Sequence, residues 1–352
     1  MSLEHGMAAL NLEMPPRVPR TEYSAEEHWG LIKAVTGIDV SAASASAVKW
    51  EAAKKFRTLW NYDFNWSILI YNQVLGEYRS NMGHAEYVEG GEDFNNEISQ
   101  LFSDPEDVFA FDCLEKLGTR DHNELVLRFD EHYDSLATAY PDMVNMTGVY
   151  ITCMSGLIEL LGWDTLLMAA GIDDRAFGAF TNRYIQWISQ YFTALADCKA
   201  PVVMVHDDIV WTSGAFLKPE WYREYIFPNY RKLFDPLFQA GKKVIYTSDG
   251  NYTEFIDDIA ACGIHGFVME PTTDMAYIAE KYGKTHAFIG NADTRILLSG
   301  TKEDIHAEVK RCMDIGKKYP GFFMAVGNHI PFNTPVDNAL WYNECYEKLS
   351  IR

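Results

Sequence analysis

From residue 200 onward, apolar runs in this chain break off repeatedly into residues that can move protons or hold a cation. The run 202–205 is followed by His206-Asp207-Asp208, and 244–246 by Thr247-Ser248-Asp249-Gly250-Asn251. Residues 266–269 lead to Glu270, 287–289 to Gly290-Asn291-Ala292-Asp293, and 322–326 to Gly327-Asn328-His329. Taken singly, each exit has an ordinary explanation, because Asp, Asn, Ser and Gly are favoured in turns and at helix starts. Five successive exits bearing Asp, Glu, Asn or His exceed what turns require. If the exits converge, they form the candidate active site.

Each residue has a chemistry and an alternative. Asp249, beside Gly250 at a helix entrance, can bond a substrate, bind a metal or accept helix amides. Asp207 and Asp208 are adjacent: facing one mouth, their repulsion raises one pKa and yields an acid/base pair, whereas otherwise one points in and the other caps a helix. His206 and His329 are acid/base groups, metal ligands or satisfied structural histidines. Glu270 precedes Pro271, which fixes the loop: it either aims the carboxylate inward or leaves a solvated loop acid. The catalytic candidates are therefore His206, Asp208, Asp249, Glu270 and His329, and a metal would draw on His206, Asp249, Glu270 and His329. Candidate substrate-binding residues are Asp207, Thr247, Ser248, Asn251, Asn291, Asp293, Asn328 and Trp211, although Asp293 can instead pair with Arg295. Trp211, Trp221, Tyr222, Tyr225 and Phe227 offer either a pocket wall or helix core.

The elements that must position these groups follow from the pattern. The five runs do not alternate, which suits parallel strands covered on both faces, and amphipathic stretches separate them. Pro219 suits a first helical turn, and Thr301 with Asp304 has capping spacing. Three weaker strand candidates upstream, 64–70, 108–111 and 148–151, bring the total to eight, and eight parallel strands predict a single (β/α)8 TIM-type barrel of the α/β class. An open doubly wound sheet would carry a Gly-rich phosphate loop after its first strand, and none is visible. Residues 1–22, with Pro15-Pro16-Arg17-Val18-Pro19, lack periodicity and predict a flexible arm before a barrel spanning 23–352. Ser24-Ala25-Glu26-Glu27 has capping-box spacing ahead of an extra N-terminal helix. The stretch 75–145, with acidic runs at 89–93 and 104–107, predicts an excursion from the barrel.

The 352 residues, 48% hydrophobic, are ample for a large core. A formal charge of −20 repels phosphate backbones and anionic membranes, so neither nucleic acid nor membrane is an expected partner, and a small-molecule substrate is. The six cysteines are scattered singly and read as reduced core residues of a cytoplasmic protein.

Four stretches resemble the uroporphyrinogen decarboxylase superfamily, which includes corrinoid-dependent methyltransferases: HDDIVWTSGAFLKPEWYREYIFPNYRKLF, AGKKVIYTSDGNYTEFIDDIAACGIHGFVMEP, YGKTHAFIGNADTRILLSGTKEDIHAEVKRCM and GFFMAVGNHIPFNTPVDNAL. The resemblance covers the last ~150 residues closely and the earlier half more loosely. It implies a (β/α)8 barrel and a homodimer. The Arg-rich substrate segment of the true decarboxylases is missing: Arg17 and Arg20 stand among prolines without its pattern. The zinc methyltransferases of the superfamily have His-x-Cys-Gly where this chain has Thr247-Ser248-Asp249-Gly250, and a later Cys where Asn328 falls. Both thiolates are lost, which disfavours transfer to a thiol.

What remains is methyl transfer from a small methoxylated or methylamine-type substrate to a corrinoid on a separate partner protein, with the mouth residues protonating the leaving atom or a zinc-like metal assisting. The alternatives are a decarboxylase of a small or tetrapyrrole-like carboxylated substrate and a non-catalytic ligand-binding barrel. Methyl transfer predicts an open mouth near the 75–145 excursion, and decarboxylation predicts an arginine or lysine clamp inside it.

Overall fold

The computed structural model describes residues 2–84, 99 and 101–352; the acidic run 89–93 lies outside them. The barrel strands are β1 (Phe64–Asn65), β2 (Val144–Asn145), β3 (Thr147–Val149), β4 (Val202–His206), β5 (Lys243–Ser248), β6 (Gly266–Met269), β7 (Ala287–Ile289) and β8 (Phe322–Phe323), and outside the barrel Val210–Trp211 pairs antiparallel with Gly214–Ala215. One parallel sheet runs β8-β7-β6-β5-β4-β3, with His206 opposite Thr247 and Ser248 opposite Met269. Every residue of β4 is buried, as covered parallel strands require.

The sheet closes into a (β/α)8 barrel through the segment 17–23. Arg20 bridges Met324 in parallel, Met324 N donates to the Pro19 carbonyl (2.8 Å), and Asp63 N donates to the Arg20 carbonyl (2.9 Å). Beyond it, β1 pairs with β2, and Ile70 bridges Val149 beside β3.

Two expectations are corrected here. The flexible arm is instead a helix, Leu3–Leu10, followed by a barrel stave. Ser2 caps the helix by accepting from His5 N (3.1 Å), and Ala9 and Leu10 are buried. On the stave, Arg20 is fully buried, paired with Glu22 at 3.0 Å and stacked over Trp60 and Tyr346. Glu22 accepts from Val326 N (2.9 Å) and the Tyr342 hydroxyl (2.8 Å), which fastens the stave to the last strand and the C-terminal helix. The candidate strand 108–111 is a 3-10 turn, Pro105–Ala110, because Asp104 accepts from Glu106 N and Pro105 starts the turn.

A third difference is local. Ser24 adopts a left-handed conformation (φ 46°) and caps nothing; His28 caps the helix Trp29–Thr36 instead, its Nδ1 accepting from Leu31 N at 3.1 Å. Around the barrel, the helix Asp174–Asp197 buries Phe177, Phe180, Tyr184, Trp187 and Tyr191 at helical spacing. All six cysteines are free and buried. No single described helix is long and apolar enough to cross a membrane.

Candidate active site

Side chains alternate along a strand, so the β4 exit sends His206 and Asp208 one way and Asp207 the other. Asp207 is fully buried away from the mouth and accepts from Cys153 N (3.0 Å) and Ser155 N (2.7 Å), at the start of the helix Met154–Leu161. It also accepts from the Tyr230 hydroxyl. Its expected role in binding substrate is corrected: with its acceptors occupied by a helix N-terminus and a phenol, it fastens β4 to that helix.

Asp208 is the hub. Its Oδ1 accepts from Asp249 N (2.8 Å) and lies 3.2 Å from His206 Nε2, while its Oδ2 lies 3.0 Å from His84 Nε2. The other ring nitrogen of His84 meets Glu159 Oε1 at 2.8 Å, and Asn72 donates to Glu159 Oε2 (2.8 Å). Burial works against charge throughout this chain of groups, but the partners prevail. Asp208 is held well below the usual carboxylate range by His206 and His84, Glu159 is lowered by His84 and Asn72, and His84 is raised to about 10 by Asp208 and Glu159. His206 stacks flat on Tyr150, with ring centres 3.8 Å apart, and its Nδ1 lies 3.0 Å from the Tyr150 carbonyl oxygen.

The β5 exit supplies Asp249. Gly250 adopts φ +79°, and a Cβ there would come within 2.8 Å of the Trp211 backbone, so only glycine makes this turn without strain. Among the described residues the Asp249 carboxylate has no hydrogen-bond partner; burial and then the Asp208 charge push it up to about 7. Thr247 lies below it, buried and with its hydroxyl unpartnered. Ser248 and Asn251 bond within the turn: the Ser248 hydroxyl donates to the Asp249 carbonyl (3.1 Å), and Asn251 Oδ1 accepts from Thr253 N (3.1 Å).

Glu270 is held by Gly250 N (2.8 Å) and Asn328 Nδ2 (2.5 Å), which ties the β5, β6 and β8 exits together. Asn291 is buried behind this loop, donating to the Glu270 carbonyl (3.2 Å) and accepting from Arg311 (3.0 Å). Asp293 caps the helix Thr294–Ser299 and pairs with Arg295 at 2.6 Å, so it serves the helix and not the mouth. His329 contacts Ser24 at 2.5 Å on the rim. Trp211, 44% exposed, stands against Trp163 and Phe216 at the rim, whereas Trp221, Tyr222 and Phe227 are core.

His206, Asp208 and Asp249 thus come together, with donor atoms within 4.8 Å of one another, and Glu270 and His329 are occupied by other partners. The residues that sequence reading missed are His84, Glu159, Tyr150 and Ser155. Only Glu159 left a trace, as the one charged residue in the buried helix MSGLIELL. No arginine or lysine pairs with Asp208, Asp249, Glu159 or Glu270 among the described residues. No cysteine reaches the mouth, so the thiolate zinc set implied by the resemblance does not fit.

Residues 104–349 match the family described as uroporphyrinogen decarboxylase (URO-D). The chain is 24% identical over 211 residues to a uroporphyrinogen decarboxylase of Geobacter metallireducens, covering 59% of this chain and 60% of that protein. It is 31% identical over 163 residues to one of Carboxydothermus hydrogenoformans, covering 46% and 44%. The chain therefore spans less than two thirds of the length of these curated relatives. A methyltransferase from Methanosarcina mazei shares the fold over 99% of both chains, with a TM-score of 0.67 at 16% identity. With a family match over more than half its length and a closed barrel beneath it, this chain belongs to the uroporphyrinogen decarboxylase family.

Proposed function

We propose that this protein is a methyltransferase that moves a methyl group from a small methoxylated or methylamine-type compound to a corrinoid carried by a separate protein. The observation that carries the reading is the composition of the mouth: one carboxylate without a partner, Asp249, beside a buried His206–Asp208–His84–Glu159 chain, with no arginine or lysine pairing these carboxylates among the described residues. A polyanionic porphyrinogen would meet repulsion there. The two arginines of the first stave are engaged elsewhere, Arg17 with Asp63 and Arg20 with Glu22.

In this transfer the bond from the methyl carbon to oxygen or nitrogen breaks with its electron pair left on the heteroatom, which then needs positive charge. The corrinoid supplies the nucleophile that accepts the methyl group. Asp249 is the group assigned to protonate the departing atom, and Asp208 fixes its backbone through the bond from Asp249 N. Trp211 and Trp163 on the rim offer an apolar wall for the substrate.

The family match supports a second reading, decarboxylation of a smaller carboxylated substrate. One assay separates them: the purified protein with a reduced corrinoid protein and a panel of methoxyaromatics and methylamines, followed by cobalt absorbance, and in parallel with carboxylated substrates, followed by carbon dioxide release. Methylated cobalt that Asp249→Asn lowers by about 10²–10⁴-fold supports methyl transfer. Carbon dioxide without methylated cobalt moves the assignment to a carboxy-lyase.

A further inference from the structure

We propose that His206, Asp208 and Asp249 bind a first-row divalent transition-metal ion such as zinc or manganese, through one imidazole nitrogen and two carboxylates. The geometry comes first. Their donor atoms lie within 4.8 Å of one another, and all three residues sit at the exits of neighbouring paired strands, so the barrel fixes their spacing.

The tautomer of His206 gives independent support. Its Nδ1 lies 3.0 Å from the Tyr150 carbonyl oxygen, which can only accept, so Nδ1 carries the hydrogen. That leaves Nε2 facing Asp208 Oδ1 at 3.2 Å, a contact held together by a positive charge that either a proton or a bound cation can supply. A backbone carbonyl on the far nitrogen, with the near nitrogen turned towards carboxylates, is how metal-binding histidines are oriented. The flat stack on Tyr150 holds the ring plane.

Orphaned hydroxyls also point to a ligand. Thr247 pairs in register with His206 and shares its side of the sheet, and its hydroxyl is buried without a partner at 8% residue exposure. The Tyr23 hydroxyl, on the first stave and equally buried at 8%, is also unpartnered and within electrostatic reach of Asp249. Buried polar groups are rarely left unpaired, and water held by a cation would satisfy these two.

The donor chemistry narrows the ion. Nitrogen with two carboxylates and no sulfur suits zinc, manganese, iron or cobalt, and an imidazole disfavours magnesium and calcium. Three protein ligands leave positions open for water or a substrate heteroatom. Two of the three come from β4, and none is a thiolate, so this set differs from the one the family resemblance implies. The inference rests on the methyl-transfer reading only for the ion's use, where it would replace the proton on Asp249 as the positive charge at the departing atom.

Binding can be measured without turnover. Untagged protein stripped with chelator is titrated with cobalt(II), read by visible ligand-field absorption, and with zinc, manganese and magnesium by calorimetry. The expected result is one site that prefers zinc and cobalt to magnesium and is weakened at least about 100-fold by His206→Ala or Asp249→Asn. Ser155→Ala removes the hydroxyl that accepts from Asp208 N (2.7 Å) and lies 3.3 Å from His206 Nδ1, and it should weaken binding about 10-fold while leaving all three donor atoms in place. Absence of binding to the wild-type chain overturns the proposal, as does binding that Asp249→Asn leaves unchanged. Should His206→Ala fail to fold, the partly exposed Asp249 decides alone. Metal binding without methyl transfer would leave this site standing and sink the functional reading, and the reverse outcome would do the opposite.

Discussion

His84 Nδ1 lies 2.8 Å from Glu159 Oε1, and its Nε2 lies 3.0 Å from Asp208 Oδ2. Ionised carboxylates only accept, so both ring nitrogens carry hydrogens and His84 is a fixed cation between two acids. It also pins the connection after β1 to the mouth of the barrel. Removing it leaves Glu159 without a cation and Asp208 with His206 alone. His84→Ala should lose about 3–5 kcal/mol in urea unfolding, and a cycle with Glu159→Gln should show a coupling of about 1–3 kcal/mol. Additive losses would mean that the two residues act separately.

Asp207 and Asp249 should behave as opposites, although both are buried or nearly so. Asp207→Ala strips acceptors from Cys153 N, Ser155 N and the Tyr230 hydroxyl, and should lose at least about 2 kcal/mol of stability. Asp249→Asn removes a carboxylate that repels Asp208 and has no partner to lose, so unfolding should shift by less than about 0.5 kcal/mol or towards greater stability. Methyl transfer should nevertheless fall about 10²–10⁴-fold. An Asp249→Asn chain as unstable as Asp207→Ala would make Asp249 a structural residue.

The exits of β4 to β8 are legible because each covered strand is a non-alternating apolar run that gives way within about three residues to His, Asp, Glu or Asn. Which of Asp207 and Asp208 faces the mouth is a matter of strand phase, and adjacent carboxylates leave both readings open until the register of His206 with Thr247 is known. The first stave is hidden by its own composition: Pro15, Pro16 and Pro19 read as an arm, yet a stave needs only the Pro19 carbonyl as acceptor, which proline retains. The stretch 108–111 misleads in the opposite way, since its apolar residues sit in a turn that Asp104 and Pro105 initiate. The His84–Glu159 contact joins residues 75 apart and has no motif, so only the fold discloses it.

His265 gives a pH dependence remote from the mouth. Its Nδ1 accepts from Val244 N (3.1 Å) and its ring packs on Phe238, and burial, then the charges of Lys243 and His286, lower its pKa from 6.5 to about 4. The folded state therefore favours the neutral ring and the unfolded chain binds the proton first. The stability contributed by the neutral ring is complete above pH 6.5, is lost as the pH falls towards about 4, and changes no further below that. Wild-type and His265→Asn unfolding curves should diverge in this window, with the variant flatter. Parallel pH profiles would remove His265 from the account.

The first stave can be tested through its buried pair. Arg20→Leu leaves Glu22 fully buried, still accepting from Val326 N and the Tyr342 hydroxyl but without its cation, and should lose about 3–5 kcal/mol. In Arg20→Leu with Glu22→Gln, the amide oxygen can keep one of those acceptor contacts and no charge remains to be desolvated. The double variant should therefore be more stable than Arg20→Leu by about 1–3 kcal/mol, measured by urea unfolding. A loose arm would give small shifts for both variants, because an exposed ion pair contributes about 0–1 kcal/mol. A large loss on the single change with partial recovery on the double requires Arg20 and Glu22 to be packed against Trp60 and Tyr342, and that packing exists only if residues 17–23 close the barrel.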